Sequence, residues 1–97
     1  MKYRIELAPP ARNQYHALSA YDRAKVRDAI DEHLTAHPTH ESKSRIKRLR
    51  ELKRPQYRLR VDDLRVFYDV DGQRVGILGI VAKVHAEEWL REEGEES

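Results

Sequence analysis

The chain contains no cysteine. Disulfides, thiolate nucleophiles and cysteine-based zinc sites are excluded together, and the natural reading is a cytoplasmic protein. Long apolar runs are absent too: none approaches the ~20 residues that a membrane span needs. The opening MKYRIEL is too charged and too short for a signal peptide, so no membrane partner is expected. Large apolar side chains are sparse, with one tryptophan, one phenylalanine and one methionine. At 39% hydrophobic against 37% charged, the core is small for the surface it supports, and stability is expected to depend partly on a partner. Repeats, low-complexity tracts and linkers are missing, so the 97 residues are expected to form a single domain, 1–97.

Charge is abundant but unevenly placed. Lys43, Arg45, Lys47, Arg48, Arg50, Lys53, Arg54, Arg58 and Arg60 face one acid, Glu51, in the middle of the chain. Glu87, Glu88, Glu92, Glu93, Glu95 and Glu96 face Arg91 near its end. The net charge of +2 hides this dipole. A basic segment is the footprint of a polyanion, since phosphates neutralised by Lys and Arg release condensed counterions. An acidic protein partner fits equally well, and a solvated basic face is the plain alternative.

Tyr3, Ile5 and Leu7 alternate with Lys2, Arg4 and Glu6, as in a half-buried strand. Pro9-Pro10 stops it and opens a helix, because proline is tolerated in the first helical turn. Ser19 and Asp22 are spaced as a weak capping box for a second helix that runs to about His37, where Pro38 ends it. The apolar stripe of that helix is Val26, Ala29, Ile30, His33 and Leu34. The stretch 39–54 stays open between a helix, suggested by Ile46, Leu49 and Leu52, and a loop leading into an extended approach.

From Gln56 to Ile80 the runs YRLRV, LRVFYDV and VGILGI are separated only by Asp62-Asp63 and Asp71-Gly72. Tyr57, Leu59 and Val61 share one face while Arg58 and Arg60 take the other. Asp71-Gly72 predicts a type I′ hairpin turn, which needs positive φ at both central residues. The reading is a three-stranded antiparallel meander carrying guanidinium groups, the side chain best matched to phosphate. Helices first and strands later indicate an α+β fold.

YRLRV, an acidic turn and LRVFYDV resemble the core signature of the RelE/ParE superfamily of bacterial type II toxin-antitoxin toxins. The resemblance covers nearly the whole chain and implies a RelE-like fold: an N-terminal strand, a helical hairpin, the meander and a short C-terminal helix. The hairpin covers one sheet face and leaves the other open. RelE-like toxins cleave messenger RNA, on the ribosome, by attack of a ribose 2′-hydroxyl on the adjacent phosphate. That implies no metal and no cofactor.

Carried over on that resemblance, Arg65 stands where the RNases hold a phosphate-binding arginine; its structural alternative is an ion pair with Asp69 or Asp63. Arg58 and Arg60 occupy positions that carry basic residues contacting the scissile phosphate or activating the nucleophile, or else line the solvent face of a strand. Arginine is a poor proton acceptor, with a pKa above ~12, so their role is electrostatic. Arg45, Lys47, Arg48, Arg50, Lys53 and Arg54 are the RNA-binding candidates. At the end of the last strand the family offers a basic cluster followed by a tyrosine, whereas this chain reads Lys83-Val84-His85-Ala86-Glu87-Glu88-Trp89-Leu90, with no tyrosine after Gly79. His85, a side chain type suited to proton transfer near neutral pH, and Lys83 are the catalytic candidates there. The plain alternative is a surface histidine. Trp89 either stacks on a base or docks the C-terminal helix on the sheet. His33 and His37 lie four apart without a glutamate-containing zinc motif, so no metal site is expected.

The missing tyrosine keeps two other readings open: a ParE-like toxin that binds a protein target such as DNA gyrase, and a degenerate toxin that only binds antitoxin. Every reading implies a cognate antitoxin in a hetero-oligomer. Its disordered segment would wrap the toxin, and an acidic one would complement Lys43 to Arg60.

Overall fold

The computed structural model describes residues 2–96, whose elements form an α+β architecture around one apolar core. Strand β1 (Arg4–Leu7) leads into helix α1 (Pro9–Ala17), opened by Pro9 and Pro10, and then α2 (Ala20–Ala29). The Ser19 hydroxyl caps α2 by accepting from the Asp22 N–H at 3.1 Å. Arg23 holds the corner between the helices, donating to the Leu18 and His16 carbonyls at 2.6 and 3.2 Å. The second helix stays α-helical only to Ala29; one wider π-helical turn, Ile30–Leu34, ends it three residues short of the expected His37. Val26, Ala29, Ile30 and Leu34 are buried as the stripe requires, and His33 is half-buried.

The open stretch resolves into two short strands, β2 (Ile46–Arg48) and β3 (Leu52–Arg54), so the helical spacing of Ile46, Leu49 and Leu52 misleads. Burial of Ile46 against the sheet outweighs a weak local period. The meander follows as β4 (Tyr57–Val61), β5 (Leu64–Asp71) and β6 (Arg74–Ala82). A 3₁₀ turn at Lys83–His85 leads to α3 (Ala86–Glu93), and β7 (Glu95–Glu96) pairs with β3. The main sheet has the order β1-β6-β5-β4-β2, with β1 parallel to β6 and the other pairs antiparallel.

Register decides which residues share a face. Leu59 lies opposite Val66, and Val66 opposite Ile80, on the face covered by α1 and α2. A bulge leaves Leu78 unpaired, since Phe67 opposes Gly79 while Tyr68 opposes Ile77. The extra residue puts both Ile77 and Ile80 in the core despite their odd spacing. The Ile80 N–H beside the bulge donates to the Gln14 side chain of α1 at 2.7 Å. Buried Tyr68 donates its hydroxyl to the Pro38 carbonyl at 2.6 Å and stacks on Tyr57. The β5–β6 loop is Gly72-Gln73, one residue later than expected, and only Gly72 has positive φ (61°). The expected type I′ turn is therefore not formed. The other tight turn places Asp62 at φ 52° and ion-pairs its carboxylate with Lys25 of α2. Among the described residues no helix is long and apolar enough to cross a membrane.

Candidate functional site

The sheet face away from α1 and α2 carries a row of cations. Strand alternation places Lys47 of β2 opposite Arg58 of β4, and Arg60 of β4 opposite Arg65 of β5. Among the described residues none of these four makes an ion pair. The Arg58 Nε is buried without a hydrogen-bond partner. Burial first, and then the guanidinium groups of Arg65 and Arg60, push the Arg58 pKa down. Arg65 is also pushed down, by burial and by Arg60, with Asp63 opposing. Both stay protonated, because arginine starts so high. Mutual repulsion between unpaired guanidinium groups on a partly desolvated surface is relieved by an anion.

Arg65 is the most enclosed of the row, at 6% exposure. One amino group donates to the Asp62 and Leu64 carbonyls at 2.8 and 2.9 Å, clamping the β4–β5 turn. It forms neither of the ion pairs considered from sequence. Asp69 is taken by the Arg54 Nε at 2.8 Å and the Gln56 N–H at 2.7 Å. Arg60 is exposed, and Arg58 half-buried.

The second face is not left open as the helical hairpin suggests, because α3 folds over part of it. The Trp89 ring stacks on Phe67 with centroids 4.8 Å apart and planes 6° from parallel. It lies directly over Gly79, where a Cβ would come within 2.6 Å of Trp89 Cε2. Trp89 thus docks the C-terminal helix, and one face of its ring is occupied by Phe67. Gly79 is a packing position that admits the Trp89 ring; its signal in the sequence is a strand glycine followed ten residues later by the sole tryptophan. Lys83 and His85 are exposed at the start of this segment. The Lys83 N–H donates to the Asp63 carbonyl at 2.7 Å, so Lys83 sits at the end of the sheet that holds Arg60 and Arg65.

The remaining cations of the basic segment are dispersed. Arg50 forms a two-pronged pair with Glu41, at 2.8 and 3.3 Å, and Arg54 pairs with Asp69. Arg48 lies over the Tyr57 ring, 5.2 Å from its centroid, and donates to the Gln56 carbonyl. Lys53 is exposed beside a cavity of about 700 Å³ between β1, β3, β5 and β6. That cavity carries both signs of charge, largely matched as Arg54 with Asp69 and Arg74 with Glu6 and Asp71, and lies away from the cation row. Arg45 stays with the row: its guanidinium donates to the Arg60 carbonyl at 3.4 Å. Among the described residues no three histidine or carboxylate side chains cluster as a metal site.

The sequence from 5 to 85 matches the family model of the ParE toxin of type II toxin-antitoxin system, parDE. Two solved structures have the same fold. The archaeal RelE-RelB complex from Pyrococcus horikoshii OT3 contains a chain 23% identical to this one, with a TM-score of 0.70 over 86% of this chain and 97% of that chain. The toxin-antitoxin complex RelBE2 from Mycobacterium tuberculosis contains another at 23% identity, with a TM-score of 0.71 over 84% of this chain and 99% of that one. No curated protein sequence matches.

Proposed function

The chain belongs to the ParE toxin family, within the RelE/ParE superfamily of type II toxin-antitoxin toxins, and from that premise we propose that it is a metal-independent endoribonuclease that cuts messenger RNA on the ribosome. The observation that carries this reading is the row Lys47, Arg58, Arg60 and Arg65, cationic and without a carboxylate ion pair among the described residues. The ribose 2′-hydroxyl attacks the adjacent phosphorus, forming the 2′-oxygen–phosphorus bond as the bond to the 5′-oxygen breaks. The 2′-hydroxyl proton leaves to a base, and the departing 5′-oxygen takes one from an acid. Arg58 and Arg60 stabilise the charge on the non-bridging oxygens; Arg65 fixes the turn beside them and adds to the field. Lys83 and His85 are the proton-transfer groups, at the end of the sheet where Arg60 and Arg65 lie. Arg45 and Lys47 extend the phosphate contacts, with Arg48, Arg50, Lys53 and Arg54 peripheral.

A cognate antitoxin is part of this reading. The two solved structures described above are toxin-antitoxin complexes, and on that likeness the 1–97 domain is proposed to act in the cytoplasm and to be held inactive in a hetero-oligomer. The complex is expected to melt above the free chain.

The test is to induce the chain alone in a bacterium, with Arg60→Ala and His85→Ala variants, and map messenger RNA 5′ ends during growth arrest. Arg60 is exposed, so its removal probes charge rather than folding. New cuts that vanish in both variants support the assignment; cuts that persist in both sink these roles. A second reading has its own observation, the absence of tyrosine after Gly79. Arrest without cuts, accompanied by DNA damage signalling, selects a gyrase-type protein target, and no arrest selects a degenerate toxin that only binds antitoxin.

A further inference from the structure

Beyond the end of the cation row lies a separate cavity of about 320 Å³, lined by His33, His37, His40, Ser42, Ser44, Arg45 and the edge of Ile46. Its side chains come from the π-helical turn, the following loop and the start of β2. None of the lining residues is acidic, and three are imidazoles. The His37 and His40 rings meet edge to face, with centroids 6.4 Å apart, and both are exposed. The Ser42 hydroxyl accepts from the Arg45 and Ile46 N–H groups at 3.1 and 3.4 Å, which fixes the loop and leaves its own proton free to donate.

Two carboxylates stand nearby and both are engaged. Glu32 lies 3.5 Å from His33 Nε2. Glu41 is held by the Arg50 guanidinium and the Arg48 N–H. Neither lines the cavity. Arg45 is shared between the two regions: its guanidinium reaches the Arg60 carbonyl, and its carbonyl accepts from the Arg60 N–H at 2.8 Å. The cavity and the row therefore meet at Arg45, which lines the one and is bonded to Arg60 of the other.

We propose that this histidine-lined cavity is a second anion site, which holds a phosphate of the polyanion lying across Arg60 and binds it more tightly at acidic than at alkaline pH. Imidazole, guanidinium and hydroxyl groups all donate to phosphate oxygens, and imidazole does so with both nitrogens, as a cation, once protonated. Histidine is the side chain that gains charge between pH 8 and 5. The inference takes its ligand class from the polyanion reading, but does not require cleavage.

The test uses a fluorescent single-stranded oligodeoxynucleotide, which lacks the 2′-hydroxyl and cannot be cut by the proposed route. Its affinity for the full chain is measured at about pH 5.5 and about pH 8, at constant ionic strength, with His37→Gln/His40→Gln and Arg60→Ala variants. The wild-type chain is expected to bind roughly tenfold tighter at the lower pH, the double histidine variant to lose most of that gain, and Arg60→Ala to weaken binding at both. An equal pH effect in wild type and histidine variant overturns the proposal. Inorganic phosphate, followed by NMR of the histidine ring signals at the lower pH, separates the two readings. Ring shifts on phosphate addition without oligonucleotide binding keep the anion site and remove the nucleic acid; no ring shift with either ligand removes the site.

Discussion

Replacing Gly79 with alanine tests whether the C-terminal helix is held by the Trp89 contact. The new methyl would lie 2.6 Å from Trp89 Cε2 and 3.1 Å from Cη2, closer than carbon atoms approach. Either the ring lifts from Phe67, or strand β6 shifts. Overpacking of this kind costs about 1–3 kcal/mol. Gly79 lies outside the positive-φ region, so alanine also restricts the unfolded chain and returns about 0.4–1 kcal/mol. The net loss is about 1–2 kcal/mol, or roughly 4–8 °C in Tm for each kcal/mol in a domain of this size. Trp89→Ala alone is expected to cost about 2–3 kcal/mol, below a core tryptophan because the ring is half-buried. In that background the obstacle is gone, and Gly79→Ala should be neutral or stabilising by up to about 1 kcal/mol. Circular dichroism melts of the four proteins close the cycle. Trp89 is the sole tryptophan, so its emission should shift to the red in Gly79→Ala. An equal Tm loss with and without Trp89, together with unchanged emission, refutes the docking argument.

Other consequences follow from single groups. Arg58→Met removes a charge whose Nε is buried unpaired, and should raise stability by about 1 kcal/mol while weakening nucleic-acid binding; a drop in urea midpoint would contradict it. Tyr68→Phe strips the buried Pro38 carbonyl of its donor and should cost about 1–2 kcal/mol, seen as a lower midpoint with unchanged slope. The Arg50 guanidinium, with the Arg48 N–H, holds the Glu41 carboxyl at about 2 instead of 4.5. A depressed carboxylate stabilises fully above its unfolded pKa and loses that contribution as pH falls towards its folded one. Unfolding midpoints should therefore fall between pH 4.5 and 2 less steeply in Glu41→Gln, and the difference should shrink in high salt, since the pair is exposed. Arg60→Ala should lower the slope of log affinity against log salt for RNA by about one contact; an unchanged slope would take Arg60 off the phosphate path.

What the sequence determined by itself is local. A period of two in YRLRV and LRVFYDV assigned each side chain to a face, so Arg58, Arg60 and Arg65 could be put together before any coordinates. Pro9-Pro10 opened α1 and Ser19 capped α2 through backbone constraints that act within one turn. The antiparallel meander was legible because short acidic and glycine turns hold sequential strands close enough to pair with each other.

What only the tertiary structure decided depends on contacts far apart in the chain. The parallel pairing of β1 with β6, the bulge at Leu78 and the two strands in 39–54 are selected by which faces must be buried together. The partners of the arginines obey the same rule. Arg50 and Arg54 are neutralised by Glu41 and Asp69, whereas Arg58 and Arg60 look the same in sequence and form no ion pair among the described residues. A charge becomes available to a ligand only when folding has brought it no counter-ion, and distance in space is set by the whole chain.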